Sequence, residues 1–139
     1  MAFQKNNGNR RVETANCLHV KAEALVLMGK YSDAKPIFEQ STAMRRNLCG
    51  SDNILVGNSQ YAVGKMFILM GNFDEARKFL LQAREIYVRT SQTFEEKCDL
   101  LDIRFYLAIL DYLEGRVSNA IKQHFIILKD KMAHYQCEI

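Results

Sequence analysis

Leu27-Met28-Gly29-Lys30-Tyr31-Ser32-Asp33-Ala34 is the stretch from which the architecture can be read. The pattern returns as Leu69-Met70-Gly71-Asn72-Phe73-Asp74-Glu75-Ala76, and more faintly as Leu113-Glu114-Gly115-Arg116-Val117-Ser118-Asn119-Ala120. The glycines lie 42 residues apart (71 − 29) and then 44 (115 − 71). In each copy an aromatic or β-branched residue follows two positions after the glycine, and an alanine three further on. That order describes a tight turn between two apolar helices, with the glycine supplying the left-handed stop.

Working outward, residues 1–9 are polar and read as a leader. From about Arg10, Cys17, Leu18, Ala22, Leu25 and Val26 recur at helical spacing as far as Met28. A second helix begins near Ser32, with Asp33 complementing its exposed amides and Pro36 near enough to the start to be tolerated. Its stripe is Ala34, Ile37, Phe38, Ser41 and Met44; Arg45 and Arg46 suit its negative end, and Gly50 closes it. A third helix is predicted from about Ile54 to Met70, with Val56, Tyr61, Val63, Phe67 and Ile68 apolar. A fourth runs from about Asp74 to Arg89, burying Ala76, Phe79, Leu80, Ala83, Ile86 and Tyr87. Thr93 with Glu96 is a capping-box signature opening the fifth, which carries Leu100, Ile103, Tyr106, Leu107, Ala108 and Leu110 to Glu114. Ser118 opens the sixth, whose predicted inward stripe is Ile121, Phe125, Leu128, Met132 and Tyr135. A single hairpin cannot bury both its faces, so three of them must stack, giving repeats over about 10–50, 51–92 and 93–137 of one domain.

The composition agrees with an all-α globular domain and narrows its chemistry. The chain has 139 residues, 48% of them hydrophobic and 25% charged, with a single proline. The net charge of +3 is spread over interspersed basic and acidic residues, which argues against nucleic acid and against an anionic membrane as partner. No uninterrupted apolar run, Ala24 to Met28 among them, is long enough to span a bilayer. Cys17, Cys49, Cys98 and Cys137 show no zinc-type spacing; their even count leaves a disulfide pairing open. No hydrophobic signal segment opens the chain, so reduced thiols in a cytoplasmic setting are expected. His19, His124 and His134 form no catalytic set with a nucleophile and an acid, and His134-x-x-Cys137 has nothing beside it to complete a metal site. A non-enzymatic protein without cofactor or metal is the expectation.

Together the copies resemble tetratricopeptide repeats, in particular the long-period type of kinesin light chains. Gly29-Lys30-Tyr31-Ser32-Asp33-Ala34-Lys35-Pro36-Ile37-Phe38, then Met44-Arg45-Arg46-Asn47-Leu48-Cys49-Gly50-Ser51-Asp52, looks like that family's G-K-Y-x-x-A-x-P-L-Y run followed by I-R-x-x-x-L-G-x-D-H-P. Asn53 and Ile54 stand in place of the His-Pro. Ala22, Gly64 and Ala108 each precede a turn glycine by seven positions and match the family's small residue there. The third copy departs from the pattern, with Asp111 where Leu25 and Phe67 stand and His124 where Phe38 and Leu80 stand. The resemblance implies an α-solenoid of three helix-turn-helix repeats forming a right-handed superhelix, its concave groove lined by the first helix of each pair.

Carried over by register, the groove positions are Asn16, His19, Glu23, Val26 and Leu27, then Asn58, Tyr61, Ala62, Lys65, Ile68 and Leu69, then Asp102, Phe105, Ile109, Tyr112 and Leu113. Such a face suits a protein or peptide segment held by apolar anchors, with Asn16 and Asn58 as candidate hydrogen-bonding contacts. A chaperone-type carboxylate clamp is disfavoured, because its positions hold His19, Glu23, Ala62, Asp102 and Tyr106, and two of these are acidic. The sixth helix carries Ile126 and Ile127 besides its predicted stripe, which marks them as an interface covered by a partner, by self-association or by further repeats. The function expected is a protein-protein interaction module. Two alternatives are a structural subunit of a cytoskeletal or ciliary assembly and, less compatible with the near-neutral charge, an RNA-binding repeat.

Overall fold

The structure, a computed structural model, describes the backbone of residues 2–115 and 117–138 and the side chains of residues 10–115, 121 and 123–134. Six α-helices and no strand occur among them: α1 (Ala2–Leu27), α2 (Tyr31–Cys49), α3 (Ile54–Met70), α4 (Phe73–Thr90), α5 (Phe94–Leu113) and α6 (Val117–Glu138). The helix reversals follow from glycine chemistry. Gly29, Gly71 and Gly115 have φ of 76°, 79° and 83°. At the first two, paired bonds close the preceding helix: Lys30 N to Leu25 O at 2.8 Å with Gly29 N to Val26 O at 3.0 Å, and Asn72 N to Phe67 O at 2.9 Å with Gly71 N to Ile68 O at 3.0 Å. These reversals fold α1 onto α2, α3 onto α4 and α5 onto α6, while α2–α3 and α4–α5 contacts stack the pairs.

Helix starts are also written locally. Asn53 Oδ1 accepts from Leu55 N at 2.9 Å, and Thr93 Oγ1 accepts from Glu96 N at 3.1 Å. α2 and α4 lack a side-chain cap and rely on acidic first turns, Asp33 in one and Asp74 with Glu75 in the other. α1 is helical from Ala2, where the sequence predicts a leader through residue 9. Asn6, Asn7, Gly8 and Asn9 are poor helix formers, so this first stretch is carried by extension of the helix that follows, adding residues to an existing helix costing far less than nucleating one.

The main core joins Ala22, Ala34, Phe38, Met66, Phe67, Ala76, Leu80, Ala83, Tyr87, Ile103, Leu107 and Leu110. α3 lies at its centre and is buried on nearly every side, Val56, Gly57 and most of 59–67 included. Close approach of α4 explains two of its residues. A Cβ built on Gly64 would lie 2.7 Å from Leu80 Cγ, and one on Gly57 would lie 3.0 Å from Ile86 Cγ2. The small residue ahead of each turn thus has its expected packing role, Ala22 and Ala108 also being buried.

The third repeat is joined differently. Asp111, which replaces the apolar residue of the other copies, is buried and paired with Arg77 of α4 at 2.9 Å; the same Arg77 nitrogen meets Glu114 at 2.8 Å. Between α5 and α6, Arg104 pairs with Asp130 at 2.6 Å and Lys131 with Asp102 at 3.3 Å. These charges set the rotation of α6 and overturn its expected face. Ile127, expected outside, is 1% exposed against Leu101 and Ala108, while Ile121, Phe125, Leu128 and Met132, expected inside, are exposed. The side of α6 that meets α5 is the one that carries Ile127 together with Asp130 and Lys131, which leaves the expected stripe facing outward. Two smaller corrections concern Cys17, which is exposed rather than part of the α1 stripe, and Arg45, which points into the stack rather than at the helix end. Met1 and the side chains of residues 116–120, Tyr135 and Cys137 lie outside what the structure describes.

Gly64→Ala is expected to destabilise the chain by about 1–3 kcal/mol through overpacking against buried Leu80. Gly71→Ala meets nothing within 4 Å and should cost only the strain of its positive φ, about 1 kcal/mol. Urea denaturation of both variants checks this, and Gly64→Ala with Leu80→Val should recover part of the first loss.

Candidate partner-binding surface

The residues expected to line one groove divide among three environments. The first is a buried polar centre built on Arg45 of α2. Its guanidinium donates to Ser59 Oγ at 2.8 Å, Asn16 Oδ1 at 3.0 Å, the Leu55 carbonyl at 3.1 Å and Asn58 Oδ1 at 3.2 Å, and lies 3.4 Å from His19 Nδ1. Asn16 and Asn58, expected to face a ligand, therefore spend their carbonyl oxygens on Arg45. His19 is buried, its ring edge against Phe38 and its Nε2 2.8 Å from Glu23 Oε1. A neutral ring with hydrogen on Nε2 satisfies both sides, donating to Glu23 and accepting from Arg45. Burial, with Arg45 and Lys65 adding to it, depresses the imidazole pKa from 6.5 to about 4. Burial lowers the Arg45 pKa as well, with Glu23 opposing the shift.

The second environment is a cleft of about 220 Å³ between α1, α3 and α5. Val26 and Leu27 of α1, Ala62, Ile68 and Leu69 of α3 and Tyr106 of α5 make its apolar walls, with Phe38 of α2 beneath them; Glu23 and Lys65 place opposite charges on facing walls. Leu27 is 89% exposed and Leu69 59%. Both stand two positions before a turn glycine, a position that exposed Leu113 repeats in the third copy. Lys65 extends over the ring of Tyr61, 4.2 Å from its centroid, and Tyr61 itself is buried against Tyr106. Tyr61 is thus a wall support whose hydroxyl burial holds well above its ordinary pKa.

The third environment lies between α5 and α6. Phe105, Ile109 and Tyr112, expected in the groove, line a separate apolar cleft of about 390 Å³ together with Ala108, Ile121, His124 and Phe125. His124 packs on Phe105 with ring centroids 5.6 Å apart. Of the expected terminal-helix pair, Ile126 is exposed and Ile127 is not. Phe125 and Leu128 were missed as surface residues. The signal that could have found them is Asp102 and Arg104 on α5, whose need for partners fixes which side of α6 faces in.

Among the described residues no cluster of three His, Cys, Asp or Glu side chains is placed to hold a metal, and His134 instead stacks on Phe94 at 4.4 Å. No helix among them is long and apolar enough to cross a membrane. Cys17 and Cys49 are free thiols.

The family model described as Tetratricopeptide repeat matches residues 13–88, more than half of the chain. A crystal structure of the nearly identical TPR-like repeats of a putative kinesin light chain from Podospora anserina superposes with a TM-score of 0.67 at 20% identity. The match covers 84% of this chain and 54% of that one, so the chain spans about half of its neighbour's length. At that identity the likeness carries the fold, an all-α solenoid of helical repeats. No curated protein matches the sequence.

The His19 shift sets a pH dependence. A histidine whose folded pKa lies near 4 takes up its proton in the unfolded chain from about pH 6.5 downward, so stability is full near pH 7 and falls between pH 6.5 and 4. The loss is expected to reach about 2–3 kcal/mol. His19→Gln keeps a donor for Glu23 and an acceptor for Arg45 without titrating. Urea denaturation at pH 7, 5.5 and 4.5 should show a flatter profile for the variant; parallel profiles would contradict the assignment.

Proposed function

We propose that this chain, which belongs to the tetratricopeptide repeat family, is a non-enzymatic interaction module that receives an extended segment of another protein in the cleft between α1, α3 and α5. The observation that carries the reading is the pair Leu27 and Leu69, one from each of the first two repeats, left in water beside the apolar walls of that cleft. Apolar side chains held at a recess by a rigid scaffold suit a peptide with spaced apolar anchors. Glu23 and Lys65 supply opposite charges that can orient the segment and pair its polar groups.

A second reading, permanent incorporation as a structural subunit of a larger cytoskeletal or ciliary assembly, draws support from the exposed apolar side of α6. Sizing separates the two: a monomer that binds short peptides fits a docking module, whereas obligate oligomers dispersed by polar substitutions on α6 fit a subunit. The protein is placed inside the cell in both readings.

The groove is tested with peptides selected from a random display library on the purified chain. Leu27→Asp and Leu69→Asp are expected to weaken the selected peptides by roughly ten- to hundredfold, the contribution of one buried leucine. Helical circular dichroism should stay unchanged, because both side chains are at the surface. Tyr61→Ala is a poorer probe, since it would hollow the core as well as the groove. Selected peptides that bind both leucine variants as tightly as the parent would remove the cleft as their seat.

A further inference from the structure

We propose that the outward stripe of α6 is a seat for an amphipathic helix of a second protein whose flanking positions are acidic. This rests on the reading of the chain as an interaction module but uses a different surface from the groove. The stripe is Ile121, Phe125, Leu128 and Met132, all exposed, with Phe125 at 68% and Met132 at 63%. The steps between them are four, three and four residues (121, 125, 128, 132), the alternation of a two-helix seam. An extended strand, whose side chains alternate every second residue, does not match that line; another helix does. Beside the stripe the cleft formed by Phe105, Ala108, Ile109 and Tyr112 widens the apolar seat on the α5 side. A recess of that shape suits a convex helix better than a flat bilayer.

Charge selects among helices. With Phe125 and Met132 at one seam position and Ile121 and Leu128 at the other, the flanking positions hold His124, Lys129 and Lys131. By sequence Lys122 falls at the same register as Lys129. Asp130 lies between the flanking positions and turns away from the seam to Arg104 at 2.6 Å; by sequence the one acidic residue at a flanking register is Glu138, a heptad beyond Lys131 and past the end of the stripe. A second copy of α6, parallel or antiparallel, would bring these basic flanks against their equals, and like charges at such positions oppose pairing. Glutamates on a foreign helix would meet Lys129 directly and compete with Asp102 for Lys131, now 3.3 Å from it. Complementary flanks also steer encounter and fix orientation.

The test uses two labelled peptides three heptads long, with leucine at both seam positions and either glutamate or lysine at all flanking positions. Fluorescence anisotropy against the full chain is expected to show the glutamate peptide binding at least about tenfold tighter than the lysine peptide, with the gap shrinking at high salt. Leu128→Asp should abolish that binding at unchanged helicity; should it fold poorly, Phe125→Ser serves instead. Excess groove peptide is expected not to displace the helix, so the failure of one surface is read separately from the failure of the other. Equal binding of both peptides, binding of neither, a concentration-dependent dimer of the parent chain lost in Leu128→Asp, or binding of phosphatidylserine vesicles in preference to the glutamate peptide would each overturn the proposal.

Discussion

The stacking of the first two repeats depends on one buried cation. Arg45 leaves α2 and inserts between α1 and α3, where it is 4% exposed and surrounded by oxygens of Asn16, Asn58, Ser59 and the Leu55 carbonyl. Among the described residues no carboxylate pairs with it directly. A buried charge is tolerated only when it is hydrogen-bonded, and charge-assisted bonds from both terminal nitrogens of the guanidinium to neutral acceptors on α1 and α3 supply that here, while its Nε has no hydrogen-bond partner among the described residues. The nearest anion, Glu23, acts through the neutral ring of His19. Sliding α1 against α3 would strip acceptors from the guanidinium, so this centre holds the two helices in register, and the register is what opens the cleft above them.

A second constraint works within the hairpin. Gly57 and Gly64 let α4 lie almost against the backbone of α3, which leaves Leu80, Ala83 and Tyr87 fully enclosed. α3 is therefore walled in by its own partner on one side and by the first repeat on the other. Tyr87 extends the contact onward, its hydroxyl donating to Asp99 of α5 at 3.4 Å. From there the character of the stack changes. The third repeat is joined by Arg77 to Asp111 and Glu114, and α6 to α5 by Arg104–Asp130 and Lys131–Asp102. Part-exposed ion pairs contribute little stability each but are demanding about geometry. They orient α6 at the expense of its apolar stripe, which stays in water.

Two surfaces of different chemistry follow from those two regimes. The cleft over α1, α3 and α5 belongs to the apolar, tightly registered part of the stack and offers walls with leucines at their edge. The stripe on α6 belongs to the ion-paired part and is flanked by lysines. They share α5 as a common wall but open on different helices, and their chemistry suits the different occupants proposed above, one extended and one helical.

Local chemistry was legible in the residues themselves. Gly29, Gly71 and Gly115 announce the turns because only glycine takes a left-handed stop cheaply, and the spacing of Ala76, Leu80, Ala83, Ile86 and Tyr87 announces the buried side of α4 because a helix repeats its face every three or four residues. The repeat period then follows, and with it the stacked hairpins. What periodicity cannot say is which of two apolar lines on one helix faces its neighbour, or whether a polar side chain serves the surface or the interior. Ile127 lies inside and Phe125 outside because α6 meets α5 through the side that also pairs Asp130 with Arg104 and Lys131 with Asp102, residues of another helix. His19 is buried, and Asn16 and Asn58 turn their carbonyl oxygens inward, because Arg45, remote in sequence, turns in to meet them. Those outcomes rest on pairings between segments, so only the assembled tertiary structure could decide them.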